Sequence, residues 1–121
     1  MKHSPRFLDL VDDAKSRIRE IQPDDLLQRI SDGEPWTVID VREESEWAAG
    51  DARGARYLGR GILERDIEGL IPDTGTPIAL YCGGGFRSAL SADTLQKMGY
   101  TNVWSLADGW RGWKNAGGPV E

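Results

Sequence analysis

Cysteine and histidine are nearly absent: the 121-residue chain has one of each, Cys82 and His3. A lone cysteine excludes an internal disulfide framework and any zinc cluster built on cysteines. A lone histidine excludes a two-histidine metal site and leaves almost no room for a buried Cys–His or Ser–His catalytic pair. Long apolar runs are missing as well. Acidic residues interrupt the apolar stretches between Met1 and Asp13, so the segment holds no signal-peptide core. No run approaches the roughly 18 residues that cross a bilayer. Positive charge is in deficit, 15 basic against 20 acidic side chains for a net charge of −5, which argues against broad electrostatic capture of nucleic acid. These absences predict a cytoplasmic protein with a free thiol and neither nucleic acid nor membrane as a partner.

What is present reads as one α/β domain. Hydrophobic residues make up 39% and charged residues 29%, the balance of a globular chain able to bury one core. Phe7, Leu10, Val11, Ala14 and Ile18 recur at helical spacing and predict an amphipathic helix over residues 7–17. That helix is either packing or a partner-binding element. A second helix starts at Pro23 with Asp24 and Asp25 behind it and closes at Gly33. Residues 36–41 (Trp-Thr-Val-Ile-Asp-Val) and 77–81 (Pro-Ile-Ala-Leu-Tyr) are short apolar strands, and residues 101–106 a third. Short helices are expected over 43–49, 62–70 and 110–116, an irregular loop over 51–61, and a longer helix over 88–98. Strands alternating with helices imply a parallel sheet covered on both faces.

The stretch Tyr81-Cys82-Gly83-Gly84-Gly85-Phe86-Arg87-Ser88 carries the chemistry. A strand ends, a glycine loop follows and a helix begins, which is where α/β sheets bind ligands. Three glycines without β-carbons let the backbone curl and aim several N–H groups inward. The helix start adds free N–H groups, and Arg87 a permanent charge. Each feature favours thiolate over thiol at Cys82, giving a nucleophile that needs no histidine base. A small buried core cysteine would explain neither the glycines nor the arginine.

A strand followed by Cys, a short anion-cradling loop and Arg resembles two related families, the rhodanese-type sulfurtransferases and the cysteine-dependent phosphatases. Four residues separate Cys82 from Arg87, which looks like rhodanese; the phosphatase loop is one residue longer and wider. The resemblance extends over about residues 18–121. Val38-Ile39-Asp40-Val41-Arg42-Glu43, with Glu46-Trp47 and Gly50, is similar to the rhodanese opening motif. Leu106, Gly109-Trp110, Trp113 and Gly117-Gly118-Pro119-Val120 are similar to its closing segment. Two positions depart from the pattern: Asp51-Ala52 stands where His-Ile is common, and Asp108-Gly109 where Gly-Gly is frequent.

The resemblance implies a rhodanese-like three-layer fold, a central, mainly parallel five-stranded sheet flanked by helices, with further strands near Arg19–Ile21 and 55–58. Residues 1–17 would be a helical extension and 18–121 the domain. It implies that Cys82 takes a sulfane sulfur from a small anionic donor, thiosulfate or a persulfide, and passes it to a thiol or cyanide acceptor, or to a protein acceptor. No cofactor or metal is implied. The amides of Gly83, Gly84, Gly85, Phe86 and Arg87 would hold the charged sulfur, as an oxyanion hole holds oxygen. Arg87 either braces the loop against a carboxylate or faces the donor. Asp40 and Arg42 organise the site from a neighbouring strand, or form a surface ion pair. Phe86 either walls the pocket or is buried. Arg60 and Trp110 are further candidates, for steering the donor and covering the pocket edge. With no lysine in the loop, a persulfide or protein donor suits it as well as thiosulfate. The alternatives are a non-catalytic rhodanese-like binding or regulatory module, and a cysteine-dependent phosphatase or arsenate reductase.

Overall fold

The computed structural model describes residues 3–121. In chain order it runs α1 (Pro5–Lys15), β1 (Arg19–Ile21), α2 (Pro23–Ser31), β2 (Thr37–Asp40), α3 (Glu44–Ala49) and β3 (Arg56–Tyr57). A 3-10 turn (Arg60–Ile62) then leads into α4 (Leu63–Leu70), β4 (Ile78–Tyr81), α5 (Phe86–Lys97), β5 (Val103–Leu106) and α6 (Gly109–Asn115). The five strands form one sheet in the order β1-β5-β4-β2-β3. Every pairing is parallel, so the sheet is all-parallel rather than mainly so. Among the described residues no helix is long and apolar enough to cross a membrane.

Side-chain alternation along the strands sorts two cores. On one face, Ile39, Val41, Ile78, Leu80, Cys82 and Val103 pack under α4 and α5 through Leu63, Ile67, Ala92 and Leu95. On the other, Val38, Ala79, Tyr81 and Leu106 pack under α2 and α6 through Leu26 and Trp113. The parity of β4 therefore fixes the face of Cys82: two residues past Leu80, it lies on the α5 side. Val11 and Ala14 of α1 are buried against Ala89 and Leu90 on the outer side of α5.

Three expectations need correction. The long helix begins at Phe86, not Ser88, because Gly85 takes a left-handed φ of +99° and turns the chain straight into α5. Phe86 and Arg87 thus belong to the first helical turn. The first helix starts two residues early, at Pro5, whose fixed φ suits an opening turn. The 51–61 segment is not wholly irregular: it carries β3 and the start of the 3-10 turn, and its first part is tied to the C-terminus. There Asp51 N–H donates to Glu121 O (3.0 Å), Arg53 N–H to Pro119 O (2.9 Å) and Glu121 N–H to Asp51 O (2.8 Å).

Candidate active site

Cys82 follows the last residue of β4 and forms the floor of a cavity of about 820 Å³. The lining residues are His3, Phe7, Glu46, Cys82, Gly83, Gly84, Phe86, Arg87 and Arg111. Cys82 itself is only 1% exposed, so its sulfur sits nearly out of bulk water. Two amides point at that sulfur. Gly85 N–H donates to Sγ at 3.2 Å and Ser88 N–H at 3.4 Å. The Ser88 hydroxyl is 3.6 Å from Sγ and 2.8 Å from the hydroxyl of Ser105 on β5. Fixed dipoles of this kind favour negative charge on sulfur.

The loop carbonyls face the other way. Trp110 N–H donates to Cys82 O at 2.7 Å and Arg111 N–H to Gly83 O at 3.4 Å, so the opening of α6 holds both carbonyls. In a planar trans peptide the next N–H points opposite to the carbonyl. The amides of Gly83 and Gly84 are therefore turned away from α6. Phe86 and Arg87 open α5, where amides have no intrahelical partner. Of the five amides singled out by sequence, Gly85 reaches Sγ directly; the Ser88 amide, which does so too, was not among them.

Glycine at 83 and 84 leaves room for two guanidinium groups. A β-carbon on Gly83 would lie 3.3 Å from Arg87 Nη2, and one on Gly84 would lie 2.9 Å from Arg111 Nη2. Arg87 is not free. Its Nη1 and Nη2 donate to Glu46 Oε1 and Oε2 at 2.8 and 3.2 Å, clamping α5 to α3 across the cavity. Glu46 Oε1 also accepts from its own helix start, the N–H of Glu43, at 3.0 Å. Arg111 is exposed and pairs with no carboxylate among the described residues. It brings a second cation to the mouth from outside the loop, which the composition of the loop alone does not reveal.

Asp40 and Arg42 do not line the cavity, and they are not a surface pair. They are 0% and 4% exposed, with Arg42 Nη2 2.7 Å from Asp40 Oδ2 and Nε within 3.1 Å of both carboxylate oxygens. Arg42 Nη2 also donates to Gly50 O at 2.6 Å, and its guanidinium lies 4.8 Å from the ring centre of Trp110. Trp110 in turn stacks on Tyr81 at 6.2 Å. A buried charged hub thus supports the residue whose amide holds Cys82 O. Trp110 stands behind the loop rather than over the pocket. Arg60 lies on the 3-10 turn, away from the cavity, with its Nε buried and unpaired. Phe86 does wall the cavity.

Of the two departures from the family pattern, Asp108 has a local explanation and Asp51 has none. Asp108 adopts the left-handed φ of +58° that glycine would take without strain, and Asp tolerates it better than most residues. The Asp51 carboxyl is buried with one oxygen unpaired, and burial, with Glu121 and Asp40 nearby, holds its pKa above the ordinary value.

The Arg87–Glu46 clamp carries a pH prediction. Its hydrogen bond from Arg87, foremost, keeps the Glu46 carboxyl below its usual 4.5. A depressed carboxylate contributes stability that is full above the unfolded pKa and is lost as pH falls through the folded one. Both side chains are about a third exposed, so Glu46→Gln should cost less than about 1 kcal/mol at neutral pH. Denaturant titrations of both proteins across pH are expected to show that gap closing below the usual 4.5. A gap that persists well into acid would remove the ion pair as its source.

With the geometry in place, similarity to known proteins is specific. The rhodanese-like domain model matches residues 22–116. The chain is 36% identical over 76 residues to the uncharacterised protein YqhL of Bacillus subtilis, a match covering 63% of this chain and 59% of that protein. It is 30% identical over 99 residues to the thiosulfate sulfurtransferase GlpE of Pseudomonas putida, covering 82% and 87%. Among solved structures, RPA3614 of Rhodopseudomonas palustris, described as a possible tyrosine phosphatase, superposes with a TM-score of 0.88 at 29% identity. That alignment covers 100% of this chain and 99% of the other, α1 included. The Cys82 loop, its all-parallel sheet and the matched span agree: this chain belongs to the rhodanese-like domain family.

Proposed function

We propose that this protein is a sulfurtransferase that carries a sulfane sulfur as a persulfide on Cys82. The observation that carries the reading is the pair of amides, Gly85 N–H and Ser88 N–H, aimed at Sγ at 3.2 and 3.4 Å. They favour the anionic sulfur without an imidazole. The thiolate attacks the outer sulfur of the donor, the donor's S–S bond breaks, and its electron pair leaves with sulfite or a thiolate. The new terminal sulfur carries the charge into the loop, where the amides of Gly83, Gly84, Phe86 and Arg87 are available to it. A thiol or cyanide then removes it, and Cys82 returns as thiolate. Arg87 braces the loop through Glu46, which takes one N–H from each of its terminal nitrogens, while its charge also faces the Cys82 sulfur. Asp40 and Arg42 position the loop from beneath.

A phosphatase reading has one observation in its favour, the description attached to RPA3614. Two features weigh against it here. The loop has four residues between Cys82 and Arg87, and the arginine that would bind a phosphate is held by Glu46. A pure binding module does not require a sulfur held by two directed amides.

Intact-mass analysis of the protein after exposure to thiosulfate, and separately to glutathione persulfide, tests the proposal. The expected result is a gain of one sulfur atom, mapped to the Cys82 peptide and lost on adding cyanide. No gain with either donor, or Cys82-dependent hydrolysis of an aryl phosphate, would overturn it.

A further inference from the structure

Sulfur transfer needs only the cavity floor, yet the cavity is about 820 Å³. That lies within the roughly 300–1,000 Å³ of pockets that enclose drug-sized ligands. One of its walls comes from outside the matched family span, since His3 and Phe7 precede residue 22. With Phe86 they form a cluster of three rings. His3 lies 4.5 Å from Phe86 and 5.3 Å from Phe7, and the two phenylalanines are 6.2 Å apart, all tilted.

The wall is held in place by the fold. Val11 and Ala14 bury α1 against α5. Beyond the helix, Arg17 donates to Asp93 at 2.8 and 3.0 Å, and Gln96 donates to Arg17 O at 3.0 Å. The ammonium of Lys15 sits 5.5 Å from the Phe86 ring centre and helps fix that ring. A different part of the lining is ionic: Arg111, unpaired among the described residues, stands over Gly84. An aromatic wall, a free cation and a nucleophile at the floor make a site for a molecule that is apolar at one end and anionic at the other.

We infer that His3, Phe7 and Phe86 form a subsite for the apolar body of an organic sulfane donor, an aryl thiosulfonate or chemically similar anion, with Arg111 facing its charged head. As a donor site this rests on the sulfur-transfer reading; as an aryl-anion site it stands on the lining alone. The step balances without an added oxidant or reductant. The Cys82 thiolate bonds to the outer sulfur of R–SO2–S⁻, the S–S bond of the donor breaks, and the electron pair departs with the sulfinate R–SO2⁻. The N-terminal segment carrying His3 and Phe7, together with Phe86, then sets the preference among donors.

Two readouts test this. The first is calorimetric binding of benzenesulfonate and methanesulfonate, which cannot transfer sulfur. The second is the rate of Cys82 persulfide formation from benzenethiosulfonate and methanethiosulfonate. Burying a phenyl ring predicts at least about a tenfold preference for the phenyl member of each pair. In His3→Ala and in His3→Ala/Phe7→Ala the preference should fall stepwise to within about threefold, since the lost contact is apolar area. Comparing ratios cancels the intrinsic difference between leaving groups. His3 precedes the first residue of α1, so the single variant keeps the helix even if the double variant does not fold. Arg111→Gln should weaken both sulfonates alike; loss of neither would remove the head-group assignment. Equal binding of the two sulfonates by the wild type, or a preference that survives both wall variants, overturns the subsite and assigns the rings to α1 packing alone. Wall-dependent binding of benzenesulfonate without any sulfur on Cys82 would instead keep the subsite and sink the sulfurtransferase.

Discussion

Replacing Arg42 with methionine is expected to lower folding stability by about 3–5 kcal/mol. The size follows from what the substitution leaves behind. Asp40 is 0% exposed, and Arg42 supplies three of the hydrogen bonds to its carboxylate from side-chain nitrogens. With the guanidinium gone, the carboxylate keeps the Arg42 backbone N–H, 2.9 Å from Oδ1, and the neighbouring Tyr81 hydroxyl, neither of which carries a compensating charge. Gly50 O also loses its donor, and Trp110 one of the two cations against its ring, Lys114 remaining at 5.2 Å. Methionine fills much of the volume, so packing contributes little to the loss. Since domains of this kind have about 5–15 kcal/mol in hand, the variant approaches the unfolding threshold. Removing the second charge should restore most of it. Asp40→Asn/Arg42→Met is expected to be more stable than Arg42→Met in urea titrations, because the uncompensated charge is what costs most. A loss below about 1 kcal/mol for the single variant would mean that the pair behaves as a solvent-screened one.

The parts of this fold that were legible in sequence are those whose information is local. β2, β4 and β5 lie in the interior of the sheet and read as runs of apolar and β-branched residues, which is what a strand buried on both faces requires. β1 and β3 are the edge strands, three and two residues long, and most of their residues are not buried. No periodicity survives in so short a segment, and only the resemblance to a family placed them. The strand order is not local either, since β4 pairs with β2 and β5 across intervening helices.

The same division runs through the site. Cys82, its glycines and Arg87 lie within six consecutive residues, and their chemistry could be read directly. Glu46, Arg111, Ser105, His3 and Phe7 come from four other places in the chain and meet only at the carboxyl ends of the strands. Glu46 did stand in the opening motif, but nothing in its spacing named Arg87 as its partner. Arg111 follows Trp110 in a short helix and reads as an ordinary surface cation until α6 docks on the loop. In sequence His3 reads only as a missing base; the structure uses its ring as a wall. In sequence Phe86 and Arg87 read as loop, which starts the 88–98 helix two residues late, whereas Gly85 completes the turn before them.

Changing one atom, Cys82→Ser, is expected to lower sulfite release from thiosulfate, with cyanide as acceptor, by at least about 10⁴-fold. Gly85 N–H and Ser88 N–H stabilise a charge that has already formed, and neither can accept a proton. A thiol ionises readily near neutrality, whereas a serine hydroxyl needs a base beside it. His3, the one histidine, packs its ring against Phe7 and Phe86. Even a rare alkoxide would form a strong oxygen–carbon or oxygen–phosphorus bond but a weak, labile bond to sulfur. Stability should move by only about 1 kcal/mol, because a serine oxygen can accept from the same two amides and meet the hydroxyl of Ser88. Turnover and thermal denaturation measured on the same preparation separate these effects. Substantial sulfite release by a folded serine variant would place the transferred sulfur on some other group, and the amides around position 82 would then serve the fold alone.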